Sequence, residues 1–248
     1  MKIFKEIKEY CKNKKIKIKD FDEKVDWDYI SRYQELSESF IDKYHDKVNW
    51  AHISKYQKLS EKFIEKYENK VDWIDISEYQ KLSEKFIEKY ENKVRWYCIS
   101  QHQKLSEQFI EKHKDKLYWE YISKCQTLSE KFIEKYKDYV DWDWIFIYQK
   151  LSEQFIEKYK NKVNWNYISE HQKLSESFIE KYEDRVNWDW ISLCQELSEG
   201  FILKYIDKII INFLIDNKKI KLSNFTKLTL ITKFPEYKDG ILKIKETV

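Results

Sequence analysis

Five histidines and four cysteines are the side chains of this 248-residue chain best suited to hold a metal ion, move a proton or attack an electrophile. None is spaced for it. His45, His52, His102, His113 and His171 include no HExxH pair, and His102 and His171 stand where a recurring motif carries Tyr elsewhere. Cys11, Cys98, Cys125 and Cys194 make no CxxC. Three of them fill motif positions held in other copies by Tyr, His or Trp, so all four are expected as small buried apolar residues in a reducing compartment. Carboxylates are abundant, but they recur at fixed positions in the motif, as a solvated helix face does and a singular acid–base pair does not. With only Gly200 and Gly240, neither a phosphate-binding loop nor a dinucleotide fingerprint can be built. The expectation is a protein that is not an enzyme and needs neither metal nor cofactor.

The motif is what must position any site. Trp27, Trp50, Trp73, Trp96, Trp119, Trp142, Trp165 and Trp188 follow one another at 23-residue intervals without insertion or deletion. In the third copy Trp73, Ile76, Tyr79, Leu82, Phe86, Ile87, Tyr90 and Val94 mark the apolar positions, and their steps of three and four predict helix. The two halves are out of phase across Leu82-Ser83, so the unit reads as two short helices, each of roughly eight to ten residues and too short to be stable alone. A strict period of this size then predicts an all-α fold, an α-solenoid in which each helical hairpin buries its apolar face against its neighbours. A leucine-rich repeat would need a strand with alternating Leu and an Asn ladder, and the chain has neither. Eight 23-residue hairpins fill residues 25–208, between an N-terminal cap at 1–24 and a C-terminal cap at 209–248. Ile18, Phe21 and Val25 make the N-terminal cap resemble the end of a repeat, while "IDKIIINFLIDNKK" reads as a closing helix.

Capping chemistry replaces the missing glycines. Asp or Asn before the Trp (Asp26, Asn49, Asp72, Asp141, Asn164, Asn187) caps the first helix, and an unbroken Ser series from Ser37 to Ser198 caps the second. Arg95, Tyr118 and Phe146 depart from the pattern and weaken the cap and turn assignments locally. Val71 with Ile76, and Leu82 with Ile87, have the spacing of hydrophobic staples. Glu84 and its equivalents sit at the first helical position, where the helix dipole favours a carboxylate.

Charge is segregated along the chain. Residues 1–24 hold nine Lys against five acids, residues 209–248 eight Lys against four, and the repeats between them 30 Lys and Arg against 35 Asp and Glu. A continuous polyanion groove through the middle is disfavoured, although local basic patches are not. The opening "MKIFKEIKEYCKNKK" is charged throughout, unlike a secretory signal, and the apolar run "IIINFLI" is far too short for a bilayer, so an intracellular protein without membrane contact is expected.

The block V-[D/N]-W-x-x-I-S-x-x-Q-x-L-S-E-x-F-I-x-K-Y, as at residues 25–44 and 163–182, resembles a Trp-Ile-Ser-Gln-Leu-Ser-Glu repeat of uncharacterised proteins from giant DNA viruses of amoebae and from some phages and bacteria. The resemblance covers residues 25–208. It implies a viral source, hence host cytoplasm or virion, and a solenoid; it carries no catalytic residues to transfer.

Two residue series bear on function. The fixed Gln at the turn (Gln34, Gln57, Gln80, Gln103, Gln126, Gln149, Gln172, Gln195) reads as a hydrogen-bond ladder between units rather than a row of ligand contacts, because an invariant side chain discriminates nothing along a ligand. The variable positions of the first helix are the better guide to a partner surface. They include Tyr97, Gln101, Tyr121 and Lys124, with Trp144, Phe146 and Ile147 of repeat six as the aromatic outlier. That cluster is either an exposed binding patch or the place where the solenoid bends or is covered. The leading expectation is a protein-binding scaffold using this face. The alternatives are a nucleic-acid-binding repeat protein, with aromatics such as Tyr29, Tyr121 and Trp190 stacking on bases, and a structural component of a virion or filament.

Overall fold

The computed structural model describes residues 2–15 and 17–246, which are helices joined by turns, with a single isolated parallel bridge between Lys221 and Lys245. The chain divides into two compact units, Met1–Gln126 and Thr127–Val248. The first holds an N-terminal helix (Lys2–Lys14), repeats one to four, and the first helix of repeat five (Trp119–Cys125). The second holds the other helix of repeat five (Glu130–Lys135), repeats six to eight and the C-terminal segment. Within each unit the hairpins stack neighbour to neighbour as an α-solenoid, first helix directly against first helix.

Repeat three shows why these residues fold this way. Its first helix, Trp73–Tyr79, has seven residues and its second, Glu84–Lys89, has six, shorter than the expected eight to ten. Gln80 takes an extended backbone (φ −92°, ψ 148°) that ends the first helix. After Lys89 the chain tightens into a turn, closed by Lys93 and Val94 N–H groups on the Tyr90 carbonyl at 2.8 and 3.0 Å. Both caps are present: the Asp72 carboxylate accepts from Ile74 and Asp75 N–H, and the Ser83 hydroxyl accepts from Phe86 N–H. Arg95 and Tyr118 provide no side-chain cap, as their types require. Ile76 and Ile87 are fully buried, and the Trp73 ring lies 6.3 Å from Phe86 and 4.9 Å from Tyr90 while its indole N–H donates to the Glu68 carbonyl.

Within each unit, up to four kinds of polar bridge join neighbouring repeats. The Gln80 amide donates to the Ser54 and Gln57 carbonyls at 2.7 and 2.8 Å, and its oxygen accepts from Leu59 N–H at 3.0 Å. These are orphan groups at the end of the preceding first helix, and Gln80 satisfies them from one repeat further on. The rung recurs at Gln57, Gln103, Gln126, Gln172 and Gln195, all buried. The Ser54 hydroxyl donates back to the Trp50 carbonyl at 2.7 Å and accepts from Asp72 N–H at 2.9 Å. Glu61 accepts from Ser83 N–H at 2.5 Å, so the helix-start carboxylate also ties two repeats together. On the second helices Lys66 pairs with Asp42, Lys89 with Glu65 and Lys112 with Glu88. Such exposed pairs each contribute little to stability, but they neutralise that face. The Ser bridge carries a prediction: Ser77, fully buried, accepts from Arg95 N–H at 2.9 Å, so Ser77→Ala leaves that donor unpaired. A loss of about 1–3 kcal/mol by urea titration is expected.

Both ends adapt the same rules. At the start, Tyr10 replaces the bridging Ser, its hydroxyl accepting from Asp26 N–H at 3.1 Å. Phe21 and Val25 are buried as repeat-end residues, whereas Ile18 is exposed. At the finish, the helix Ile211–Asp216 behaves as the first helix of a degenerate ninth unit: Ile210 N–H donates to Ser192, and Asn217 donates to the Ser192 and Gln195 carbonyls at 2.8 Å, where a Gln stands elsewhere. Ser223 then caps Asn224–Lys233, and Leu222 N–H bonds the Lys245 carbonyl.

Candidate interaction surface

Each first helix buries its Ile and the residue that follows it, Ser in every repeat but the sixth, and turns most of the residues one, two, five and six places after its Trp outward to varying degrees, with Cys98 buried. The position six places on, grouped in the sequence with the apolar core, is exposed instead: Tyr33, Tyr56, Tyr79 and Tyr148 lie open to solvent. The reason is geometric, since this residue follows the buried Ile by three but ends the helix, beside the Gln that leaves for the neighbouring repeat. Cys125 occupies the same position and is exposed, and Cys194 is half-buried; only Cys11 and Cys98 are buried as expected.

The sequence-predicted partner residues separate into two groups. In the first unit Tyr97 and Tyr121 meet, with phenol oxygens 2.8 Å apart and rings at 4.8 Å. Tyr118, which the motif analysis treated only as a failed cap, joins them edge-on at 5.5 Å from Tyr97. Tyr97 is 45% and Tyr118 50% exposed. The hydrogen bond to Tyr97 pushes the Tyr121 phenol up to about 12, so the Tyr121 hydroxyl stays protonated at neutral pH. Gln101 and Lys124 are half-buried.

In the second unit the expectation for repeat six is corrected. Phe146 is fully buried and is no surface anchor, whereas Trp144 and Ile147 are half-buried. Phe146 occupies the place of the bridging Ser and packs at 5.5 Å on Trp142. The following turn gives way: Leu151 and Val163, whose counterparts are buried, are half-buried, and among the described residues Val163 makes no closing bond to Tyr159 of the kind Val140 makes to Tyr136. Half-buried Trp144 lies 5.6 Å from the exposed Tyr148.

One juxtaposition of reactive side chains calls for a chemical reading. His52, Asp75 and Cys98 hold the same position in successive repeats. Burial, and then the Glu78 carboxylate, push the Cys98 thiol up, opposite to what a thiolate nucleophile needs. Among the described residues no cluster of three His, Cys, Asp or Glu is arranged to hold a metal ion, and no helix is long and apolar enough to cross a membrane.

Asp75 is held above the usual carboxylate range, first by burial and then by Asp72, with Lys55 opposing. The folded state therefore binds its proton more tightly than the unfolded chain, a contribution present below about pH 4 and lost as pH rises through the folded value. At neutral pH the ionised group is a liability. Asp75→Asn is expected to raise stability at pH 7 by about 0.5 kcal/mol after solvent screening, and the gain should vanish in melts below pH ~4.

No protein-family model matches the chain, and no curated protein and no solved structure matches it.

Proposed function

We propose that this protein is a non-enzymatic scaffold that holds a protein partner on the outward face of its first helices, in the interior of a cell or in a virion. The observation that carries this reading is the Tyr97, Tyr118 and Tyr121 cluster. Three phenols stand together at the surface, two of them largely exposed, and the two that share a hydrogen bond are held in place by it. Rigid aromatic side chains with a polar tip are the groups that anchor protein interfaces, because they bury large area at little entropic cost. Trp144 with Tyr148 offers a second, smaller anchor in the other unit. An end-to-end filament built on the Gln ladder is disfavoured, since Asn217 already fills the rung that a following copy would need.

The test is affinity capture with the wild-type chain and with a folded Tyr97→Ser, Tyr118→Ser, Tyr121→Ser variant. Loss of a specific captured protein in the variant is expected. Capture at the wild-type level would defeat the assignment, and a steeply salt-dependent affinity for RNA or DNA in place of a protein partner would favour the nucleic-acid alternative.

A further inference from the structure

A second surface lies at the C-terminal ends of the first helices of repeats one to three, in the first unit. Arg32 stands 5.0 Å from the Tyr33 ring and 5.2 Å from Tyr56, and Lys55 stands 5.7 Å from Tyr56 and 4.7 Å from Tyr79. Each cation thus sits between the tyrosine of its own repeat and that of the next, and all three rings are exposed, Tyr33 at 60%. Beside them, on the loop after the buried Gln, Lys58, Lys81 and Lys104 are exposed and take part in no ion pair among the described residues. Tyr79, Lys81 and Lys104 line one open depression of about 440 Å³ between repeats three and four.

The contrast with the second helices is what gives this strip meaning. There every lysine of the series Lys66, Lys89 and Lys112 is neutralised by a carboxylate of the preceding repeat. Here the loop lysines are left unpaired, and the strip through repeats one to four holds five cations (Arg32, Lys55, Lys58, Lys81, Lys104) against the carboxylates Glu35 and Glu78, within a repeat block that is net acidic. The strip is basic where its surroundings are not.

We propose that this strip docks an acidic protein segment in extended conformation, with carboxylates at every third residue. This deepens the scaffold reading above and rests on it. The spacing follows from the fold: packed helices recur at about 8–10 Å, and three residues of extended or polyproline II chain advance roughly 9–10 Å. Each carboxylate then meets one cation, and the segment's apolar atoms lie on the tyrosine rings between. A nucleic acid fits less well, because the ring positions that would stack bases already have a cation beside them, and the acidic flanks repel a uniformly charged backbone.

The test is fluorescence anisotropy on the full chain with three labelled probes: a Pro- and Ala-containing peptide with Glu at every third position, an isomer with its Glu contiguous, and an oligothymidylate of equal charge. The period-three peptide is expected to bind about tenfold more tightly than its isomer, and Arg32→Glu with Lys55→Glu to weaken it at least about tenfold, while Lys66→Glu with Lys89→Glu leaves it unchanged. Equal affinity for both peptides, tighter binding of the oligothymidylate, no binding at low salt, or an equal loss in the Lys66 and Lys89 variant would each overturn the proposal. Because the probe is synthetic, its failure leaves capture through Tyr97, Tyr118 and Tyr121 standing, and loss of that capture leaves peptide binding measurable.

Discussion

Gln80→Leu is expected to destabilise the first unit by about 3–5 kcal/mol, while Gln34→Leu, at the corresponding position of repeat one, should cost less than about 1 kcal/mol. The two side chains are alike in sequence setting and differ in what they meet. Gln80 is buried, donates to two carbonyls of repeat two and accepts from Leu59 N–H. Leucine fits the volume but strands three polar groups in a place water does not reach, each carrying a desolvation penalty of roughly 1–3 kcal/mol, partly relieved by relaxation. Gln34 has no repeat before it: the N-terminal helix supplies Tyr10 for the Asp26 bridge, but among the described residues no carbonyl meets the Gln34 amide, whose side chain is half-buried beside a cavity of about 30 Å³. Urea titration of both variants checks the difference. Equal costs would mean that the Gln series acts through helix-end propensity and not as a bridge.

Ile87→Ala is the second large effect, about 2–5 kcal/mol, because Ile87 is fully buried on the second helix of its hairpin. A solenoid adds a spatial signature that a globular core lacks. Since each repeat contacts only its neighbours, the loss should be local: hydrogen exchange is expected to accelerate in repeats two to four and to change little in the second unit. Uniform acceleration over the whole chain would contradict nearest-neighbour stability.

Much of this architecture was legible because its signals are local. The Trp period, the Asp or Asn cap before it and the Ser cap before Glu-x-Phe-Ile each depend on residues a few positions apart, and those spacings map directly onto the observed helices. The Gln ladder was legible by elimination, since the first helices end without Gly and some group must satisfy their carbonyls. Other features depend on distance in space. The Ser four residues after each Trp looks like any helix-face serine; its hydroxyl bridges to an N–H 18 residues on, which no local pattern signals. For the same reason Phe146 looked like an aromatic added to a surface when it replaces a buried bridge. Tyr79 follows Ile76 at a helical step yet is exposed, because the helix stops there. The ninth unit was hidden by its changes of type, Ile211 for Trp and Asn217 for Gln, although its bridges to Ser192 and Gln195 follow the same plan. The Tyr118 contact with Tyr97 crosses from one repeat to the next, joining a departure from the cap position to a variable position of the first helix, so only the stack brings the pair together.

The central physical claim is that a hairpin of seven and six residues has no stable fold except against its neighbours. Far-UV circular dichroism of a peptide spanning residues 71–94, compared with the full chain at equal residue concentration, tests it most directly. The peptide should show a disordered spectrum at concentrations where it is monomeric, while the full chain shows a helical one that melts cooperatively. A monomeric peptide with the helix signal of one repeat would contradict the claim, since the Gln and Ser bridges and the shared apolar faces would then be additions to a unit already stable alone.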